Sequence, residues 1–214
     1  MGDLLLRITD RDADLLSTLS LRVRLLSHEQ IVRTWWQTSP RTAQPRLGRL
    51  VQRGFLRERA AAAIRIGQRL TPLAVWSPGE PTQDFGALTW VLKQRWASPM
   101  EPTAVYFVTA HCAQLFGGVR SGRVPRAFQV SHDLGVAEMF LAVRSQRPQD
   151  VALWIDEDRF APFRRGEKLP DAVLAGAPMT SPILVLEWGG LYSKQRLLAF
   201  HRDCEGRGLP YEIW

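Results

Sequence analysis

Two carboxylates near the C-terminal end have the side chains and the setting for metal chemistry: Asp171 in KLPDAVLAG and Glu187 in SPILVLEWGG. Each adjoins an apolar, β-prone run, which puts the pair at the ends of two neighbouring strands. Carboxylates so placed can hold a divalent ion. They can equally be strand-end groups that hydrogen-bond to the helix that follows. A second set of residues points elsewhere. RTAQPRLGRLVQRG carries Thr42, Gln44, Arg46, Arg49 and Arg53, and RIGQR carries Arg65 and Arg69. A guanidinium is a planar fork that matches phosphate oxygens and guanine edges, so these arginines point to nucleic acid.

The charge balance agrees with the second set. The chain of 214 residues has 28 Lys+Arg against 21 Asp+Glu, a formal +7. Up to residue 130 there are 18 basic and 9 acidic residues, and beyond it 10 and 12, so the excess belongs to the N-terminal part and is mostly arginine. A chain of this length buries one large core or two small ones, and the pattern favours two. The two cysteines, Cys112 and Cys204, form no C-x-x-C, which argues for a reducing interior and against structural zinc. No leader pattern and no apolar run of membrane-spanning length stand out, so a cytoplasmic protein with no membrane partner is expected.

Elements that would position the arginines can be read along the first 80 residues. Thr9 or Asp10 caps a helix bearing Leu15, Leu16 and Leu19, and Ser27 with Gln30 stands at capping-box spacing before Ile31, Val32 and Trp35. A third helix starts at the cap Thr42, because Pro45 fits only a first turn. It faces Leu47, Leu50 and Val51 inward, leaves Gln44, Arg46, Arg49 and Arg53 toward solvent, and ends at Gly54. FLRERAAAAI and LAVWSPG then read as two paired strands with Arg65 and Arg69 on the turn between them. Three helices and a basic-tipped ribbon make a winged helix-turn-helix, whose third helix enters the major groove of duplex DNA.

A connecting region spans residues 81–130. FGALTWVLKQRW reads as a helix with Leu88, Val91, Leu92 and Trp96 on one face, TAVYFVT as a strand and AHCAQLF as a short helix in which His111 and Cys112 are packing residues. RSGRVPR, residues 120–126, is a second basic loop, either a DNA-backbone contact or an ordinary solvated connection. From residue 131 the order is α-β-β-β-α-β: SHDLGVAEMFLAVRSQ as a mostly buried helix, DVALWIDEDRF, LPDAVLAG and SPILVLEWG as strands, YSKQRLLAFHRDCEGRG as a helix and LPYEIW as a last strand. The fold class expected is α+β.

That order, with Pro170-Asp171 on the second strand and Glu187 ending the third, resembles the core of the PD-(D/E)xK nuclease superfamily. The resemblance implies that Asp171 and Glu187 hold Mg or Mn, and that a lysine two residues after the glutamate adds positive charge beside the developing oxyanion. That position is Gly189 here. Lys194, in the first turn of the next helix, is the candidate replacement. Glu138 stands where a further acidic ligand is found, and His132 either turns to the same cleft or caps its helix. Without such compensation no catalytic activity and no cofactor are expected.

Taken whole, the chain resembles the replication-relaxation family of plasmid and mobile-element proteins. The stretches that carry this are RLGRLVQRGFL, YFVT through LFGG, SHDLGVAE, Pro170-Asp171 and Leu186-Glu187. A common pattern of that family has an acidic residue two after the glutamate, from which Gly189 also departs. The resemblance implies a DNA-binding accessory factor for replication, relaxation or mobilisation, with replication or mobilisation proteins as partners. A homodimer fits a winged helix that reads two half-sites. Two other readings stay open: a metal-dependent DNA endonuclease using Glu138, Asp171, Glu187 and Lys194, and a transcriptional repressor using the same DNA-binding surface.

Overall fold

The structure is a computed structural model that describes residues 7–68, 70–120, 122, 127–164 and 166–214. It is an α+β fold with a three-stranded and a five-stranded sheet, divided into two compact units. One unit is Met1–Ala62 with Pro102–Ala137, and the other is Ala63–Glu101 with Glu138–Trp214, so neither is continuous in sequence.

The first unit begins with helix α1, Asp10–Leu21. Thr9 caps it: its hydroxyl accepts the Asp12 N–H while the Asp12 carboxylate accepts the Thr9 N–H. After the short strand β1, Leu26–Ser27, helix α2 spans His28–Trp35 and repeats the device with Ser27 and Gln30. Helix α3, Ala43–Gln52, follows a 3-10 turn at Pro40–Thr42. Leu15, Leu16, Leu19, Ile31, Leu47 and Leu50 of the three helices are fully buried, each stabilising by about 1.5–3 kcal/mol through lost apolar hydration. Gly54, at φ 74°, takes the left-handed turn that leads into strand β2, Leu56–Ile64.

The partner of β2 differs from expectation. LAVWSPG forms a strand β3 at Ala74–Trp76, but β3 lies in the five-stranded sheet, antiparallel to a strand near the C-terminus. Beside β2 lies strand β4, Met100–Val108, the centre of the order β1-β4-β2. Arg65 is therefore not on a tight hairpin between β2 and β3, and Arg69 lies outside the described residues. The short helix α5, Ala110–Leu115, is capped by Thr109, whose hydroxyl also donates to the Gly54 carbonyl at 2.7 Å. Cys112 is buried there as expected, whereas His111 is exposed.

Helix α6, Ala127–Gln146, contributes to the first unit up to Ala137 and to the second from Glu138. The second unit also holds α4 (Phe85–Trp96), β5 (Trp154–Asp156), α7 (Glu157–Phe160), β6 (Ala172–Leu174), β7 (Leu184–Glu187), α8 (Lys194–Gly206) and β8 (Tyr211–Ile213). Its sheet order is β3-β8-β7-β6-β5. The pair β7 and β8 is parallel and needs a crossover, which α8 supplies; the others are antiparallel. The expected strand 150–160 shrinks to β5 because the Asp156 carboxylate accepts the Arg159 N–H and starts α7.

Alternation along the strands assigns two faces. Val185, Tyr211 and Ile213 pack with Phe85, Leu88 and Leu92 of α4 and with Leu197, Phe200 and Cys204 of α8. Val91, expected on the inner face of α4, is exposed. The opposite face carries Trp154, met edge-on at 5.2 Å by Phe140 of α6. It also carries the buried Glu212, whose charge is matched by a two-pronged pair with Arg147 at 2.7 and 2.9 Å and by the Trp214 indole N–H. No helix among the described residues is long and apolar enough to cross a membrane.

Candidate nucleic-acid interface

The surface of α3 is set by what its inner side must bury. With Ala43, Leu47 and Leu50 inside, Gln44, Arg49 and Arg53 are exposed on the outer side. Thr42 stands at the cap position but already has helical backbone angles, φ −88° and ψ −9°, so its hydroxyl makes no cap bond. It donates instead to the Ser39 carbonyl at 2.8 Å, since the 3-10 turn runs directly into α3. The Gln44 side-chain oxygen accepts from the Tyr106 hydroxyl at 3.4 Å. Burial first, and then the charge of Glu58, push the Tyr106 phenol up to about 12, so it stays a donor.

Arg46 departs from the expectation that it faces solvent. Its guanidinium pairs with Asp12, with Nε 3.0 Å from one carboxylate oxygen, and donates to the Arg7 carbonyl at 2.7 Å. Asp12 is 1% exposed. Burial works to raise its pKa, but the Arg46 hydrogen bonds and those from Thr9 outweigh it and hold the carboxyl below the usual aspartate range. Asp12 in turn raises the pKa of Arg46. Arg46 thus ties α3 to the capped start of α1, and the charge it offers a ligand is already neutralised.

Three exposed arginines near this helix were not singled out in the sequence. Arg41 stands in the 3-10 turn, and Arg57 and Arg59 alternate along β2. The period-two spacing in FLRERA was the signal for the latter pair. Arg57 donates to the Gly122 carbonyl at 3.2 Å. In the second basic loop Arg120 donates to the Leu19 carbonyl at 2.7 Å, and residues 121 and 123–126 lie outside the described residues. Arg65 is exposed and belongs to the second unit.

The carboxylates of the second unit do come together on one face. Ala172 pairs with Leu186, so Asp171 and Glu187 follow the same side of β6 and β7. Each is engaged. Asp171 accepts the Trp188 N–H at 2.8 Å, and Glu187, 5% exposed, accepts the Tyr192 hydroxyl at 2.6 Å. Burial, followed by the charges of Glu187 and Asp171, drives the Tyr192 ionisation far above that of a free phenol, so this donor is permanent.

The other residues of the expected nuclease set lie on other elements. Glu138 is buried on α6, the helix that packs on the opposite sheet face through Phe140 and Trp154. Lys194 opens α8 with an exposed side chain, and His132 belongs to the first unit, 3.9 Å from Asp133. Among the described residues no three His, Cys, Asp or Glu side chains are grouped to hold a metal ion.

Gly189, where the expected pattern has a lysine, packs against α4. A Cβ at Gly189 would lie 3.0 Å from Leu92 Cδ1 and 3.2 Å from its Cγ, and nearer still to Cδ2, and Leu92 is fully buried. Trp96 donates its indole N–H to the Gly189 carbonyl at 2.8 Å, and the Arg95 guanidinium lies 4.1 Å over the Trp188 ring. Burial lowers the Arg95 pKa to about 10. The place a Cβ would take is occupied by the Leu92 side chain. Neither a protein-family model, nor a curated protein, nor a solved structure matches the chain.

Proposed function

We propose that this protein binds duplex DNA through the outer side of α3 and acts as an accessory factor in plasmid or mobile-element replication, relaxation or mobilisation, in the manner of the replication-relaxation family. The observation that carries the reading is the exposure of Gln44 and Arg49 on α3, and of Arg53 at its end, on a helix braced by the Arg46–Asp12 pair. A rigid helix with a planar, cationic outer side suits the major groove. The basic excess of the N-terminal part supplies the long-range attraction.

The C-terminal unit, on this reading, is a nuclease-like scaffold without the reaction. The element order α6-β5-α7-β6-β7-α8-β8, in which the short α7 interrupts the expected run of strands, and the paired Asp171 and Glu187 support the scaffold. The filled space at Gly189 and the separation of Glu138 argue against catalysis. Dimerisation or partner recruitment remains as its role.

Gel-shift titration at low and moderate salt, beside supercoiled plasmid incubated with Mn²⁺, tests both halves. The expected result is salt-sensitive binding, weakened by Arg49→Ala, with the plasmid intact. Absence of binding at low salt would remove the DNA reading. Nicking that disappears in Asp171→Ala would make the protein an endonuclease. A footprint at its own promoter would turn the accessory factor into a repressor.

A further inference from the structure

Beside the outer side of α3 the first unit has an open depression between the first turn of α1 and the 3-10 turn that precedes α3. Its floor is Trp36, 1% exposed, and its walls carry Arg11, Arg41 and Arg49, all exposed at the surface, with Asp10 and the Asp12–Arg46 pair. Arg46 and Asp12 cancel, which leaves three guanidinium groups against one carboxylate. Arg11 is held in place: its guanidinium lies over the Trp36 ring, 5.1 Å from the centroid. A stacked guanidinium keeps its edge N–H groups pointing outward and loses less freedom when an anion arrives.

We infer that this depression is a seat for the phosphate backbone of DNA, in which Arg11 and Arg41 neutralise phosphates flanking the groove that α3 enters. The inference rests on the DNA reading above and assigns to Arg11, Arg41 and Trp36 a role separate from base recognition. Its shape favours a phosphate chain over a compact ligand, because the hollow is open and its wall is shared with α3 through Arg49. Contacts of this kind position the protein and add affinity without reading sequence. Asp10, the one uncancelled acid on the rim, opposes them, so Asp10→Asn tightens binding.

The test is the salt dependence of binding of the full chain to a labelled mixed-sequence DNA duplex, followed by fluorescence anisotropy between about 50 and 200 mM salt. Each phosphate neutralised contributes about 0.9 to the slope of log affinity against log salt. Arg11→Gln and Arg41→Gln are each expected to lower that slope by about 1 and to weaken binding to unrelated duplexes by the same factor. Arg11→Lys keeps the slope, and Arg202→Gln, which removes the same charge from an exposed site on the other unit, leaves it unchanged. Thermal midpoints matching the parent show that the variants are folded. A steep parental slope that persists in both glutamine variants overturns this seat and leaves the α3 reading standing. A parent whose binding ignores salt overturns both.

Discussion

Gly189→Ala is a one-carbon change whose cost can be worked from the packing of α4. The new Cβ would sit inside contact distance of three carbons of Leu92, a side chain with no exposed surface to retreat into. Forced methyl groups in a packed core cost about 1–3 kcal/mol. Removing glycine from the unfolded ensemble returns about 0.4–1 kcal/mol, since the backbone at this position is not in the left-handed region. The net expectation is a loss of about 0–2.6 kcal/mol, read at about 2–4 °C per kcal/mol for a chain of this size. Leu92→Ala alone costs about 2–5 kcal/mol by opening a cavity. The two changes must not add. With Leu92 truncated the clash is gone, so Gly189→Ala becomes neutral or slightly stabilising in that background. Denaturant unfolding of parent, both singles and the double closes the cycle, with an expected coupling of about 1–3 kcal/mol. If Gly189→Ala costs the same with and without Leu92, α4 does not cover this position and the steric reason for the missing lysine fails.

Three further outcomes follow from the same geometry. The Asp12 carboxyl is held below its unfolded value, so its stabilisation is present above the unfolded pKa of about 3.9 and is lost as pH falls through the folded one. Asp12→Asn therefore lowers the thermal midpoint at pH 7, and its gap from the parent closes in acid; a constant gap would show that the charge contributes nothing. Tyr192→Phe removes the donor to a buried carboxylate and costs about 1–3 kcal/mol in urea unfolding, whereas a neutral result would mean that Glu187 is satisfied without it. Burial pushes the Cys112 thiol up to about 11 and the Cys204 thiol up to about 12. Neither should react with a thiol-specific chromogenic disulfide at pH 8 in the folded state, and both should react in guanidinium; prompt labelling of the native protein would contradict their burial.

Local chemistry was legible in the sequence wherever a few adjacent residues decide the outcome. The capping boxes at Thr9 and Ser27, the Gly54 turn and the span of α4 at 85–96 all rest on interactions within one turn of the chain. Asp171 and Glu187 were legible in another way: each flanks a short apolar run, and the antiparallel register of β6 and β7 sets the two side by side. What escaped were choices made by distant partners. β3 has three residues and follows β2 closely, so a hairpin was the economical reading; the stronger claim on it came from β8, where Trp76 stacks on Tyr211 at 5.5 Å. Arg46 looks no different from Arg49 in RLGRL, and only the buried Asp12, far along the chain, separates an arginine that braces the helix from one that can meet a ligand. Gly189 joins the two kinds of information. Its departure from the nuclease pattern can be read directly, but a missing lysine by itself fits either a migrated catalytic group or a lost one. What the glycine does is decided by Leu92, which packs on that position, and by Trp96, which hydrogen-bonds to its carbonyl, two contacts from a helix far back in the chain.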